Sequence, residues 1–170
     1  EPAQKKIEID KYAKQAYEAI YDTGGELYFD DARKIVPEQL PDFDLLLGGF
    51  PCQSFSIAGA RKGFDDTRGT LFFEIARIVA VKKPKYLFLE NVPGLLNHDE
   101  GRTFETILRT LDGLGYDVCW QVLNSKNFGV PQSRNRVFII GYLRGQCAGE
   151  VLSFTQASGK ALIQRKANAG

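Results

Sequence analysis

Two short apolar runs, Phe43-Asp44-Leu45-Leu46-Leu47 and Tyr86-Leu87-Phe88-Leu89, constrain this chain more than any other feature. Each is the length of a strand rather than a helix, and neither alternates strictly between polar and apolar. Continuous runs of this kind fit strands buried on both faces, as in a parallel sheet. Between them, helical spacing extends from Gly69 to Lys83, with Leu71, Phe72, Ile75, Ile78 and Val79 expected to face inward and Pro84 to end the helix. Upstream, residues 6–9 read as the end of a strand. Asp10 then caps a helix carrying Tyr12, Ala13, Ala16, Tyr17 and Ile20, and Leu27-Tyr28-Phe29 reads as a second strand. Downstream, Phe104, Ile107, Leu108, Leu111 and Leu114 mark a helix stopped by Gly115, and residues 118–123 and 137–143 read as two final strands. Strands alternating with helices define an α/β, doubly wound fold.

Composition sets the outer limits. At 170 residues, 44% hydrophobic and 25% charged, the chain suits one globular core. No apolar run approaches the roughly 20 residues of a membrane span, and residues 1–6 do not read as a signal peptide. Three cysteines, Cys52, Cys119 and Cys147, suggest a reducing, intracellular setting rather than a disulfide scaffold. Net charge is +1, yet residues 121–170 hold seven basic residues against one acidic. A polyanion would suit that segment, and so would a solvated surface.

In open α/β sheets ligands gather at the carboxyl ends of the strands. The polar residues at those ends are Glu8, Asp31, Gly49 through Gln53, and Glu90-Asn91, all expected along one sheet edge. Cys52 follows Gly-Gly-Phe-Pro and opens a polar loop, where a thiol can act as a nucleophile. Cys119, beside Trp120 in a strand, reads as structural. His98 is the single histidine and there is no Cys-x-x-Cys pair, so no metal site is expected. Glu90, directly after an apolar run, reads as an acid at a buried strand end or as a cap for nearby amides.

Four segments together resemble the DNA (cytosine-5)-methyltransferase family: Gly49-Phe50-Pro51-Cys52-Gln53-Ser54-Phe55-Ser56, Arg68-Gly69-Thr70-Leu71-Phe72, Glu90-Asn91-Val92 and Gln132-Ser133-Arg134-Asn135-Arg136. They occur in the family's order and spacing, within a resemblance running from about Ile7 to Leu143. It implies a Rossmann-like sheet that binds S-adenosylmethionine and a reaction on cytosine C5 in double-stranded DNA. Cys52 would be the nucleophile and Glu90 the group that contacts the flipped base. Arg134 and Arg136, expected on opposite faces of a strand, would organise the pocket and contact the base and its phosphate. Glu8 would bind the cofactor's ribose and Asp31 its adenine amine, with Ile9, Ala32, Gly49, Pro51 and Leu71 as walls. Gln53, Ser56, Arg61, Lys62 and Arg68, with Arg136, would face DNA. The expected setting is the bacterial cytoplasm or nucleoid.

The resemblance also leaves parts unmatched. The family's first strand with its Phe-x-Gly-x-Gly turn, its target-recognition region and its last motifs find no counterpart in these residues. The first strand is central in the family's sheet, between the strand ending at Glu8 and the strand ending at Phe50. The chain is therefore read as a partial catalytic domain over residues 1–150 with a partly disordered tail over 151–170. It would be a fragment, or one part of a split enzyme whose second polypeptide supplies the rest. A transfer-RNA cytosine-5 methyltransferase and an inactive scaffolding remnant are the alternatives.

Overall fold

The computed structural model describes residues 5–8, 10–51 and 71–146. The chain forms two compact units, Glu1–Leu40 and Pro41–Gly170.

In the first unit, β1 (Lys5–Ile7) pairs in parallel with β2 (Leu27–Phe29), with Ile7 opposite Phe29. Helix α1 (Lys11–Ile20) connects them. It starts at Asp10 because that carboxylate accepts the otherwise unpaired Tyr12 and Ala13 amides, at 2.7 and 3.1 Å. No residue of α1 is buried. Polar and cation–π contacts tie it to the strands: the Lys6 ammonium lies 3.4 Å from the Tyr17 ring centre, and the Lys14 ammonium 3.8 Å from that of Tyr28.

The second unit is a four-stranded sheet in the order β3-β4-β6-β5, built from β3 (Leu45–Gly49), β4 (Tyr86–Asn91), β5 (Tyr116–Asn124) and β6 (Asn135–Leu143). β3 and β4 are parallel; β6 runs antiparallel to both β4 and β5. The expected doubly wound core is thus closed at one side by an antiparallel hairpin. Helices α2 (Leu71–Lys82) and α3 (Arg102–Gly113) cover one face of the sheet. Phe72 and Val79 of α2 and Ile107 and Leu111 of α3 are fully buried against Leu87, Leu89, Val137 and Ile139. Each such side chain contributes about 1.5–3 kcal/mol by leaving water.

Two expectations change here. β3 and β4 are not buried on both faces. On β4, Leu87, Leu89 and Asn91 are buried, while Tyr86, Phe88 and Glu90 are half-exposed on the other side. On β3, Leu45 and Leu47 are exposed. The described helices cover only one side of this sheet, so strand alternation leaves every second residue open. Leu71 is exposed too, because it stands at the first position of α2, ahead of the face that Phe72 begins.

Among the described residues the strands form two sheets rather than one. Along the chain the division falls between β2 and β3. Residues 151–170, expected as a tail, lie outside the described residues.

Candidate functional site

In the first unit the carboxyl ends of β1 and β2 lead into Glu8 and Asp30-Asp31. The Glu8 amide donates to the Phe29 carbonyl at 3.1 Å, extending the ladder by one bond. Glu8 Oε1 accepts the Asp10 amide at 3.0 Å, and Oε2 has no hydrogen bond among the described residues. Asp31 is more committed. Its Oδ1 accepts the Arg33 amide at 2.9 Å, and the Arg33 guanidinium spans both oxygens, with Nη2 to Oδ2 at 2.6 Å. These bonds to Arg33 hold the Asp31 pKa down to about 2. Ala32 follows it in a 3-10 turn over Ala32–Lys34.

In the second unit the register places Gly49 of β3 directly beside Glu90 of β4. Glu90 is not enclosed in an apolar interior as expected: its side chain is 39% exposed. Its Oε1 pairs with Arg136 Nε at 2.5 Å. Its Oε2 lies 3.4 Å from where a side chain on Gly49 would begin, so the glycine leaves that oxygen clear. Arg136 reaches Glu90 because it lies two residues before Phe138, the cross-strand partner of Glu90, and a long side chain spans such a diagonal. Arg136 Nη1 also donates to its own chain's Asn135 carbonyl at 2.7 Å.

Arg134 is separate from this pair. It is exposed, and no side-chain bond ties it to any described residue. The expectation of opposite strand faces fails on geometry, since residues two apart on a strand share a face. The two arginines differ because β6 begins only at Asn135, leaving Arg134 in the preceding turn.

Asn124 and Ser125 clamp that turn. The Arg134 amide donates to both Asn124 Oδ1 (3.2 Å) and Ser125 Oγ (3.1 Å), and Asn124 Nδ2 donates to Ser133 Oγ at 3.1 Å. Sequence reasoning missed both residues. The available signal was a polar pair, Asn-Ser, directly ending an apolar strand.

It also assigned no role to Asn91. That side chain is buried; Nδ2 donates to the Phe50 carbonyl at 2.7 Å and Oδ1 accepts the Val92 amide at 2.8 Å. The Phe50 ring is itself buried against Phe72, with centroids 5.3 Å apart. Pro51 follows, exposed. Ile9, Cys52, Gln53, Ser56, Arg61, Lys62 and Arg68 lie outside the described residues. His98 is half-buried, with Nδ1 2.7 Å from Thr103 Oγ1 at the start of α3.

A carboxylate with one oxygen held and one open, at the end of a parallel strand beside a glycine, defines a polar ligand edge on an α/β sheet. The profile of the C-5 cytosine-specific DNA methylase family matches residues 4–166, and the chain belongs to that family. It is 56% identical over 135 residues to the Type II methyltransferase M.NgoBI of Neisseria gonorrhoeae, covering 79% of this chain and 42% of that protein. It is 53% identical over 137 residues to the Type II methyltransferase M1.ScrFI of Lactococcus lactis subsp. cremoris, covering 81% and 34%. The chain thus spans about a third to two-fifths of the length of these relatives. Its fold matches the crystal structure of the S. pombe Dnmt2 methyltransferase, with a TM-score of 0.62 at 22% identity, over 85% of this chain and 43% of that one. No described helix is long and apolar enough to cross a membrane.

Proposed function

We propose that the gene product carrying this chain methylates C5 of cytosine in double-stranded DNA, through a covalent adduct between Cys52 and a base flipped out of the duplex. The observation that carries the reading is one arrangement. Glu90, held by Arg136, ends a strand whose parallel neighbour runs out through Gly49 and Phe50 to Pro51-Cys52. Membership of the cytosine-specific family and the Type II relatives support DNA as the substrate.

The Cys52 thiolate forms an S–C6 bond while the C5=C6 electron pair shifts to C5, making that carbon nucleophilic. The open Glu90 oxygen accepts from the exocyclic amine and favours the ring protonated at N3, and Arg136 keeps the other oxygen fixed. S-adenosylmethionine, when bound, supplies the methyl group as a sulfonium electrophile. The C5 proton then passes to solvent, its electron pair restores C5=C6, and the S–C6 bond breaks to return the thiolate. Flipping costs a few kcal/mol, and contacts from Gln53, Ser56, Arg61, Lys62, Arg68, Arg134 and Arg136 offset it.

Glu8 suits a ribose diol, since Oε2 is open to accept. Asp31 suits an adenine amine less directly: all four of its acceptor positions already face Arg33, so Arg33 has to yield one. Ile9, Ala32, Gly49, Pro51 and Leu71 supply apolar or backbone walls. The proposed setting is the bacterial cytoplasm.

The test is labelled-methyl transfer by the full gene product to mixed genomic DNA and, in parallel, to transfer RNA. Transfer to DNA that is lost in Cys52→Ser is expected. Transfer to RNA alone, or activity that survives Cys52→Ser, overturns the reading.

A further inference from the structure

We propose that Asn91 is a positioning residue for the Cys52 thiol, bracing the backbone from which that residue departs. The inference rests on the reading of Cys52 as nucleophile. Strand alternation sends Glu90 to the half-exposed face of β4 and Asn91 to the buried one. From there Asn91 crosses to the neighbouring strand and donates Nδ2 to the Phe50 carbonyl at 2.7 Å. That carbonyl belongs to the peptide bond joining Phe50 to Pro51, so the brace acts one residue before Cys52. Consecutive Cα atoms are about 3.8 Å apart, so fixing that bond limits where the thiol can start.

The Phe50 ring is held independently by its tilted contact with Phe72. Ring and carbonyl together hold the exit of β3 at two points. Pro51 adds a fixed φ to the same stretch.

Only an amide satisfies this position. Asn91 must donate to Phe50 and accept from the Val92 amide at 2.8 Å at once, in a site that is 3% exposed. An ionised aspartate accepts but cannot donate, so it would face the Phe50 carbonyl oxygen without a proton. A leucine, which has the same branching, does neither and leaves the Val92 amide without its partner.

The experiment uses the full gene product, S-adenosylmethionine, and DNA amplified with 5-fluoro-dCTP in place of dCTP, which traps the Cys52 adduct at whatever site is recognised. The variants are Asn91→Asp and Asn91→Leu, with Cys52→Ser as the blank. Adduct formation about 100-fold slower in Asn91→Asp is expected, the scale of a roughly 1 Å misplacement of a reacting group. The KM for DNA and the S-adenosylmethionine affinity should stay within about threefold, and the Val92 amide should keep its protection from hydrogen exchange, because aspartate still accepts there. In Asn91→Leu that protection should fall as well.

An Asn91→Asp rate equal to that of the unaltered protein overturns the inference and leaves the Cys52 reading standing. Loss of cofactor affinity in step with the rate, or unfolding of both variants, also overturns it, since Asn91 would then support the fold at large. No adduct from the unaltered protein removes the Cys52 reading, and the inference with it.

Discussion

The ion pair between Arg136 and Glu90 is measurable by a double-mutant cycle. The Nε–Oε1 distance is 2.5 Å, and the side chains are 21% and 39% exposed. A hydrogen bond to a charged group contributes about 1.5–3 kcal/mol when well shielded. Glu90 exceeds a third exposed, so water screens the pair toward the surface range of at most about 1 kcal/mol. The coupling expected between Arg136→Ala and Glu90→Gln is therefore about 1–1.5 kcal/mol. Glu90→Gln should be the costlier single change, because it leaves a guanidinium without a counter-charge in the less exposed of the two positions. Arg136→Lys keeps the charge but loses the planar fork, and should recover less than half of the coupling.

The assay is urea unfolding of the full gene product at low ionic strength, repeated near 1 M salt, where the screening length falls to about 3 Å and the coupling should shrink without vanishing. Independent sites add to within about 0.3–0.5 kcal/mol. A coupling below that range would refute the claim that Arg136 holds the Glu90 carboxylate.

Three further outcomes follow from single positions. A Cβ on Gly141 would meet Leu87 Cδ1, Cβ and Cγ at 3.0, 3.2 and 3.3 Å, and Leu87 is fully buried, so Gly141→Ala should cost about 1–3 kcal/mol in urea unfolding, with Leu87→Val added recovering part of it. Asp31 should titrate near 2 by carbon NMR, and Arg33→Ala should move it up toward the usual carboxylate range; because the folded pKa is the depressed one, its stabilising effect is present above that range and lost as pH falls toward 2. Lys83, directly after α2, has φ 45°, a left-handed conformation that glycine adopts without a Cβ penalty, so Lys83→Gly should stabilise by about 0.5–1 kcal/mol and raise Tm by a few degrees.

How much of this was legible in the sequence depends on the range of each interaction. α1 and α3 announce themselves by period and by local stops: Asp10 caps one, and Gly115, at φ 96°, follows the other. The orientation of β5 and β6 was harder. Strands read as 118–123 and 137–143 leave thirteen residues between them, enough for a parallel crossover. The true ends, Asn124 and Asn135, leave ten, which favours the antiparallel return observed. One residue at the end of β5 and two at the start of β6 decide the matter, and strand ends carry little periodic signal. Burial on both faces was misread because an apolar run states what a strand tolerates, not what covers it. Arg136 was legible as important through its motif, but its partner was not, since Glu90 lies 46 positions earlier and only the β4–β6 register brings them together.

That register also explains why a carboxylate and an amide stand side by side in the sequence. Adjacent residues of a strand project to opposite faces. At Glu90-Asn91 one face carries the open edge and the other carries the core under α2 and α3. A carboxylate suits the first, because it stays half-exposed and takes its partner from the next strand but leaves one oxygen open. It would not suit the second, where a buried charge without a cation is costly. A neutral amide that both donates and accepts fills that position with no unpaired atom. Exchanging the two residues would bury a carboxylate against the Phe50 carbonyl and set an amide opposite Arg136, losing both interactions at once. The order Glu-Asn at this strand end is thus fixed by the two environments that its neighbouring faces meet.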